Sequence, residues 1–335
     1  MRRMTTALAA AGSLALLAAC SGGGDTGGGG DGGGDGATAG GTATGGSGEL
    51  TAVTVGVLPI VDTAAIWLGV DQGIFEDHGL DVELELAQGG AAVVPAVVSG
   101  EYQFGFSNVV SLLLAGSQGL PLKMVAPGNF STGDPESDIG AVLAMPDSGI
   151  ESPADLAGKT VAVNTLNNIG DVTVREVVEK AGGDPEQVSF VEMGFPDMPA
   201  ALAGGQVDAA WILEPFRTIA MDQGAEVVTH NFADVDPEMM IASYFTTSQL
   251  AESDPETVEA FTAAMEESLT YAEENPDAAR EILSTYTEID PAVQEKMVMP
   301  RFSPDINRDS VQTLADLALK YGLVSEDVDV DALLP

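Results

Sequence analysis

At 335 residues the chain exceeds one ordinary domain and suits two lobes with a tail. Hydrophobic residues make up 45% of it, and 12 Lys+Arg stand against 52 Asp+Glu, a formal net charge of -40. That balance excludes a nucleic-acid binder, which needs a basic surface, and sets the body against anionic lipid. The single cysteine, Cys20, leaves no intramolecular disulfide and no cysteine-based zinc site, so the core alone must hold the body together.

Arg2 and Arg3 precede a short apolar run, Ala7 to Ala19, which has the pattern of a signal peptide over residues 1–19. Its end, Leu17-Ala18-Ala19-Cys20, resembles a bacterial lipobox. The resemblance implies that Cys20 is lipidated and anchors the chain to the outer face of a bacterial cell membrane. Residues 20–48 are mostly glycine and are expected to form a disordered tether, reaching roughly 30 Å as a coil. The acidic charge then reads as the solvated surface of an extracellular protein.

The folded body is expected from residue 49, with a first lobe of 49–138 plus 247–335 and a second lobe of 139–246. Val53 to Leu58 reads as a strand stopped by Pro59, and Thr63 to Gln72 as a helix carrying Ile66, Trp67 and Val70. Asp81 to Leu86 alternates strictly and predicts a strand with one wet face. A helix over Ala91–Ser99, a strand through Phe104–Phe106, a helix over Val109–Gln118 and a strand over Leu122–Ala126 follow. Asn129 to Ser137 reads as turn. Strands alternating with helices predict an α/β lobe with a largely parallel sheet, whose ligands sit beyond the carboxyl ends of the strands. That places Leu58 to Thr63, Gln88 to Gly90 and Ser107-Asn108 around one mouth.

GIFEDHGLDVELEL, from Gly73, resembles the signature of periplasmic substrate-binding proteins of the nitrate/sulfonate/taurine class. It is also similar to the family named for pyrimidine precursors of thiamine. The likeness continues through AQGGAAVVPAVVSGEYQFGFSN and covers most of residues 50–245. It implies the type II, two-lobed periplasmic-binding-protein fold with two crossing strands as hinge. It further implies a small-molecule ligand, no cofactor, and delivery to an ABC permease served by a separate ATPase subunit.

Ile139 to Ala144 is expected to be the first crossing strand, and Met239 to Thr246 the return. Ser152 to Lys159 resembles the family's I-x-S-x-x-D-L-x-G-K, with Pro153 in a first helical turn behind a Ser cap. Thr160–Val163 reads as a strand that runs into an Asn-rich turn before a helix buried through Val172, Val174, Val177 and Val178. Asn164, Thr165, Asn167 and Asn168 in this turn suit either an anion at the helix N-terminus or simple capping. Gly194 to Phe216 reads as loop, helix, Gly-rich turn, apolar strand and Glu214-Pro215, one wall of a small-molecule cleft. Its part Ala201–Trp211 echoes Ala96–Phe106 of the first lobe.

Beyond Asp254 the chain reads as helical, with Val258, Phe261, Met265, Leu269 and Ala272 on one face, packing on the first lobe. His78 and His230 fall far apart, in expected surface loops, and no hydrolase, zincin or P-loop motif occurs. The pyrimidine synthases that share the implied fold use His and Cys, and the body of this chain has no cysteine. The expected contacts are Asp62, Thr63, Trp67, Gln88, Gly89, Ser107, Asn108 and Phe130 from the first lobe. Asn164, Thr165, Asn167, Asn168, Phe195, Asp197, Trp211 and Glu214 are expected from the second. None of the basic residues falls in a predicted mouth loop, so a bidentate Arg on an anion is not expected. The reading is a monomeric, non-enzymatic, lipid-anchored solute-binding protein. Its ligand is an anion such as nitrate, a sulfonate or taurine, or else a pyrimidine-type heterocycle. The alternatives are a surface scaffold and, further off, an exported hydrolase.

Overall fold

A computed structural model describes residues 49–87 and 89–335. The expected signal peptide, Cys20, the expected tether and Gln88 lie outside the described residues. The strands in chain order are β1 (Thr51–Val57), β2 (Leu80–Leu86), β3 (Phe104–Asn108), β4 (Leu122–Phe130), β5 (Gly140–Ala144), β6 (Thr160–Val163), β7 (Ser189–Glu192), β8 (Ala209–Leu213), β9 (Glu226–Thr229) and β10 (Met240–Thr247). Helices α1 (Ala64–Asp71), α2 (Ile74–Asp77), α3 (Gly90–Ser99) and α4 (Val109–Ser117) belong to the first part. Helices α5 (Ile169–Lys180), α6 (Met198–Ala203), α7 (Phe216–Asp222) and α8 (Asn231–Val235) belong to the second. After β10 come α9 (Ser248–Ser253), α10 (Pro255–Glu274), α11 (Pro276–Glu281), α12 (Pro291–Lys296), α13 (Arg308–Lys320) and α14 (Val330–Leu333).

The strands form two five-stranded sheets, β2-β1-β3-β10-β4 and β7-β6-β8-β5-β9, one per lobe. The two orders are the same plan. In each, three strands run parallel, and a strand arriving from the other lobe inserts antiparallel beside the third. Thus β5 enters the second sheet from β4, and β10 enters the first from α8. The strand β10 pairs with β3 and β4 along its length, so residues 240–246 belong with the first sheet and not with the second lobe expected for them. The physical reason is burial: Met240 to Thr246 is covered throughout, as a central strand demands, and the return crossing is made earlier, at Asp236–Met239.

The two crossings are tied together. Ser131 N–H donates to Met239 O at 2.9 Å. Asp138, fully buried, accepts from Ser131 Oγ at 2.6 Å and from the N–H groups of Thr132 and Ile139. His230 is buried beside this crossing, with Nδ1 3.2 Å from Gly140 O, and is not in a surface loop.

Local chemistry explains the elements. In β2, LDVELEL alternates covered and wet positions on an edge strand. Asn108 caps α4 by accepting from Ser111 N–H, and Asp254 with Pro255 starts α10. The helix α10 buries Phe261, Met265 and Leu269 against the first lobe, about 1.5–3 kcal/mol each. Phe261 stacks on Phe104 with centroids 3.8 Å apart. The C-terminal part does not keep to the first lobe as expected. Lys320 Nζ of α13 reaches Glu176 Oε2 of α5 at 2.7 Å, and Lys296 of α12 reaches Asp222 of α7 at 2.8 Å. Among the described residues no helix is long and apolar enough to cross a membrane.

Candidate functional site

The carboxyl ends of β1 and β3 face those of β6 and β8 across a cavity between the lobes. Leu58, Ile60, Asp62, Phe106, Asn108, Ile241 and Ala242 line it from the first lobe, and Asn164, Ile169, Phe195, Trp211, Leu213 and Phe232 from the second. It encloses about 30 Å³, so the lobes are shut on each other and a solute of several heavy atoms enters only when they part.

The first-lobe side carries the polar Asp62 and Asn108 among apolar residues, and a bulge brings Asn129 next to Asp62. Ala242 of β10 pairs with Asn108 on one side and Asn129 on the other, while the next residue, Ser243, pairs with Pro127. Gly128 is therefore the extra residue of a bulge, which turns Asn129 to the face that Ala242 and Asn108 present to the cavity. Only glycine fits there: a Cβ on Gly128 would lie 2.6 Å from the Phe106 ring and 3.1 Å from Ala242 Cβ. Asn129 Nδ2 donates to Asp62 Oδ1 at 2.9 Å. Among the described residues Asp62 Oδ2, Asn129 Oδ1 and the Tyr244 hydroxyl are buried without a partner. Asp62 is 2% exposed. Burial pushes its carboxyl up to about 7, against the opposing effect of the Asn129 hydrogen bond.

The second-lobe side is an aromatic wall. Trp211 lies on β8 with Phe195 and Phe232 on either side, centroids 5.7 Å away in both cases. Gly170 lets α5 approach this indole, since a Cβ there would meet Trp211 Cε3 at 2.6 Å. Trp211 Nε1 is buried without a partner among the described residues.

Closure is held at the rim. Asn168 Nδ2 of the second lobe donates to Ser111 Oγ of the first at 3.1 Å, and Asn108 Nδ2 donates to the same oxygen at 3.1 Å. Gly89 abuts Thr165 and Asn164, whose side chains would lie 3.5 and 3.9 Å from a Cβ on it.

Of the expected contacts, Asp62, Asn108, Asn164, Phe195 and Trp211 line the cavity. The others are placed differently. Thr63 Oγ1 is spent on Leu58 O at 2.7 Å, closing the 3-10 turn Val61–Thr63. Ser107 is buried under Gly90, where a Cβ would sit 2.4 Å from its hydroxyl. Trp67 stacks on Tyr286, 4.6 Å and 6° apart, away from the lining residues. Phe130 lines a separate surface pocket with Glu238 and Phe302, and pairs through its backbone with Arg301. Asn167 is exposed with φ 53° and gives its N–H to Asp171 Oδ2 at 2.8 Å. Burial pushes the Asp171 carboxyl up to about 6, while this bond and the Arg175 charge hold it back. Asp197 is exposed.

Glu214 is buried and fully engaged. It accepts from Arg217 Nη1 at 2.9 Å, from Thr218 N–H and Oγ1, and from Val298 N–H at 3.2 Å. It therefore has no free oxygen to offer a ligand. Pattern reading missed the apolar lining residues Phe106, Ile169, Leu213, Phe232, Ile241 and Ala242, and it missed Asn129. Asn129 fell in an apparent turn, although the Pro-Gly-Asn step inside an apolar run is a signal for a bulge.

A model of the NMT1/THI5-like family matches residues 61–279. The chain is similar to the formylaminopyrimidine-binding protein of Halalkalibacterium halodurans, at 26% identity over 223 residues, 66% of this chain and 65% of that one. The match thus spans a little under two thirds of that relative. Among solved structures, the alkanesulfonate-binding protein SsuA of Xanthomonas axonopodis pv. citri, bound to MOPS, superposes with a TM-score of 0.71 at 18% identity, covering 86% of this chain and 99% of that one. The periplasmic nitrate-binding protein NrtA of Synechocystis PCC 6803 does so with 0.74 at 14%, covering 85% and 86%. Both carry the two-lobed periplasmic-binding-protein fold seen here. The cavity between two like-ordered sheets and the matched stretch agree: the chain belongs to the NMT1/THI5-like family.

Proposed function

We propose that this chain is the extracytoplasmic solute-binding component of an ABC importer and captures a neutral or weakly basic nitrogen heterocycle between its lobes. The carrying observation is the make-up of the cavity. Among the described residues Asp62 is the one ionisable side chain that lines it, and no Lys or Arg does. An anionic solute would meet a buried carboxyl with no compensating cation, which is costly in a dry site. A planar ring instead finds Trp211 and Phe195 on one side and unpaired acceptors on the other.

The anionic reading has its own support, since α4 and α5 begin at the cavity. Each start already spends an N–H on its own cap, however. Ser111 N–H goes to Asn108 Oδ1, Ile169 N–H to Asn168 Oδ1 and Asn167 N–H to Asp171.

In the proposed cycle the lobes part about the crossings at 131–139 and 236–239, take up the solute, shut, and dock on a permease driven by a separate ATPase. The sequence Leu17-Ala18-Ala19-Cys20 supports lipid anchoring through Cys20 to the outer membrane face, with the chain acting as a monomer and without chemistry on the ligand. The test is a thermal-shift and calorimetric comparison of 4-aminopyrimidine, taurine and nitrate. A ligand at about 100 times its Kd adds roughly 2.7 kcal/mol of stability. The heterocycle is expected to shift the transition and the anions are not; the reverse order overturns the ligand class.

A further inference from the structure

We propose that Asp62 and Asn129 together read the edge of the solute that carries a ring nitrogen beside an exocyclic amine, and that capture at this edge takes up one proton. The inference rests on the heterocycle reading above and adds the residues and the proton to it.

The geometry leaves few options. Asn129 Nδ2 holds Asp62 Oδ1 at 2.9 Å, so Oδ2 is the carboxyl oxygen left to a ligand. Asn129 Oδ1 is the second unpaired acceptor, on a residue that the Gly128 bulge brings into register with the lining residues Ala242 and Asn108. With a proton on Oδ2, the pair shows one donor and one acceptor side by side. A ring nitrogen next to an amino group is the complement, accepting from the first and donating to the second. With Asp62 ionised, the pair shows acceptors only, and a buried charge stays uncompensated. The compensating proton then arrives from solvent with the solute. It rests on Oδ2 or on the ring nitrogen, and the proton count is the same in both cases.

The surroundings set the pH range. Burial pushes Asp62 up to about 7, and the nearby Asp138 carboxylate adds to this while Asn129 opposes it. The other titratable groups facing it are the phenols of Tyr244 and Tyr286, both pushed up by burial. Tyr286 donates its hydroxyl to Ile60 O at 3.1 Å. The residues that the second lobe contributes to the lining carry no titratable group. Below about 7 the free site already holds its proton; above that, binding must collect one. The affinity for a neutral heterocycle therefore falls as pH rises, by up to about tenfold per unit in the limit.

Titration of 4-aminopyrimidine into the full chain at pH 8.5, in two buffers of different ionisation heat, counts the protons taken up. About one is expected, with the Kd rising about tenfold per unit between pH 7.5 and 9. Asp62→Asn, checked for folding by circular dichroism, should bind with no proton uptake and a flat pH profile. Asn129→Ala should weaken binding by about tenfold and move the pH-dependent range upward, since its hydrogen bond opposes the push on Asp62. Binding by the unaltered chain without proton uptake overturns this inference and leaves the heterocycle reading standing. Unchanged uptake in Asp62→Asn does the same. Failure of 4-aminopyrimidine to bind at all overturns both.

Discussion

The order β2-β1-β3-β10-β4 returns as β7-β6-β8-β5-β9, yet matching strand ends carry different chemistry. The turn after β1 holds Asp62 where that after β6 holds Asn164, and β3 ends at Asn108 where β8 ends at Leu213. The echo between Ala96–Phe106 and Ala201–Trp211 sets Phe106 opposite Trp211, and both line the cavity. The first lobe thus brings the one carboxyl of the lining, and the second most of its aromatic surface. The difference teaches that the shared plan fixes where a wall stands, while single residues at strand ends fix what it recognises.

The buried carboxylates sharpen the contrast. Glu214 follows β8 and is met by a guanidinium, a hydroxyl and two backbone N–H groups; Asp62 follows β1 and is met by one amide. The first is a structural joint, and the second has an oxygen to spare. Glu214→Ala should give the largest effect. It strands Arg217 in the interior and should cost about 3–5 kcal/mol in a urea titration. Binding of 4-aminopyrimidine by the fraction that stays folded should be little changed. A specific loss of binding at retained stability would reverse the roles of the two carboxylates.

Asp62→Asn comes next, and its sign is the opposite. The folded-state value of about 7 lies above the ordinary 3.8, so the folded chain binds more protons in between. Stability from this group is greatest below the ordinary value and is lost as pH rises toward about 7. Melting scans should show the unaltered chain losing more between pH 4 and 8 than Asp62→Asn, by on the order of 10 °C at roughly 2–4 °C per kcal/mol. Asp171, pushed up to about 6, leaves a smaller loss of the same sign in the variant. Equal slopes in the two proteins would place Asp62 in contact with solvent.

The smallest effect is expected at the rim. Ser111→Ala removes the oxygen shared by Asn108 and Asn168, worth about 1 kcal/mol. The free protein should become more open in small-angle scattering. Unchanged dimensions would mean that the Asn168 contact does not hold the lobes shut.

Much of the fold is legible along the chain because periodicity is local. Thr160–Val163 reads as a strand and is one; LDVELEL reads as a half-wet strand and lies at a sheet edge; Asp254-Pro255 starts a helix. Part of the site is legible for the same reason, since strand ends and helix starts fix where Asn108, Asn164 and Trp211 stand.

The rest depended on contacts between distant residues. Asn129 reads as turn until Ala242 pairs with it across a bulge, and its partner Asp62 lies 67 residues away. Its neighbour Phe130 is the more conspicuous residue in the sequence, but it lines a separate surface pocket with Arg301 and Phe302. Glu214 looks like a ligand contact until Val298, 84 residues on, takes one of its oxygens. Local pattern determined the elements and the ends at which a solute could sit. Tertiary pairing decided which polar atoms were spent on the fold and which remained free, because a hydrogen bond is set by the position of its partner and not by its place in the chain.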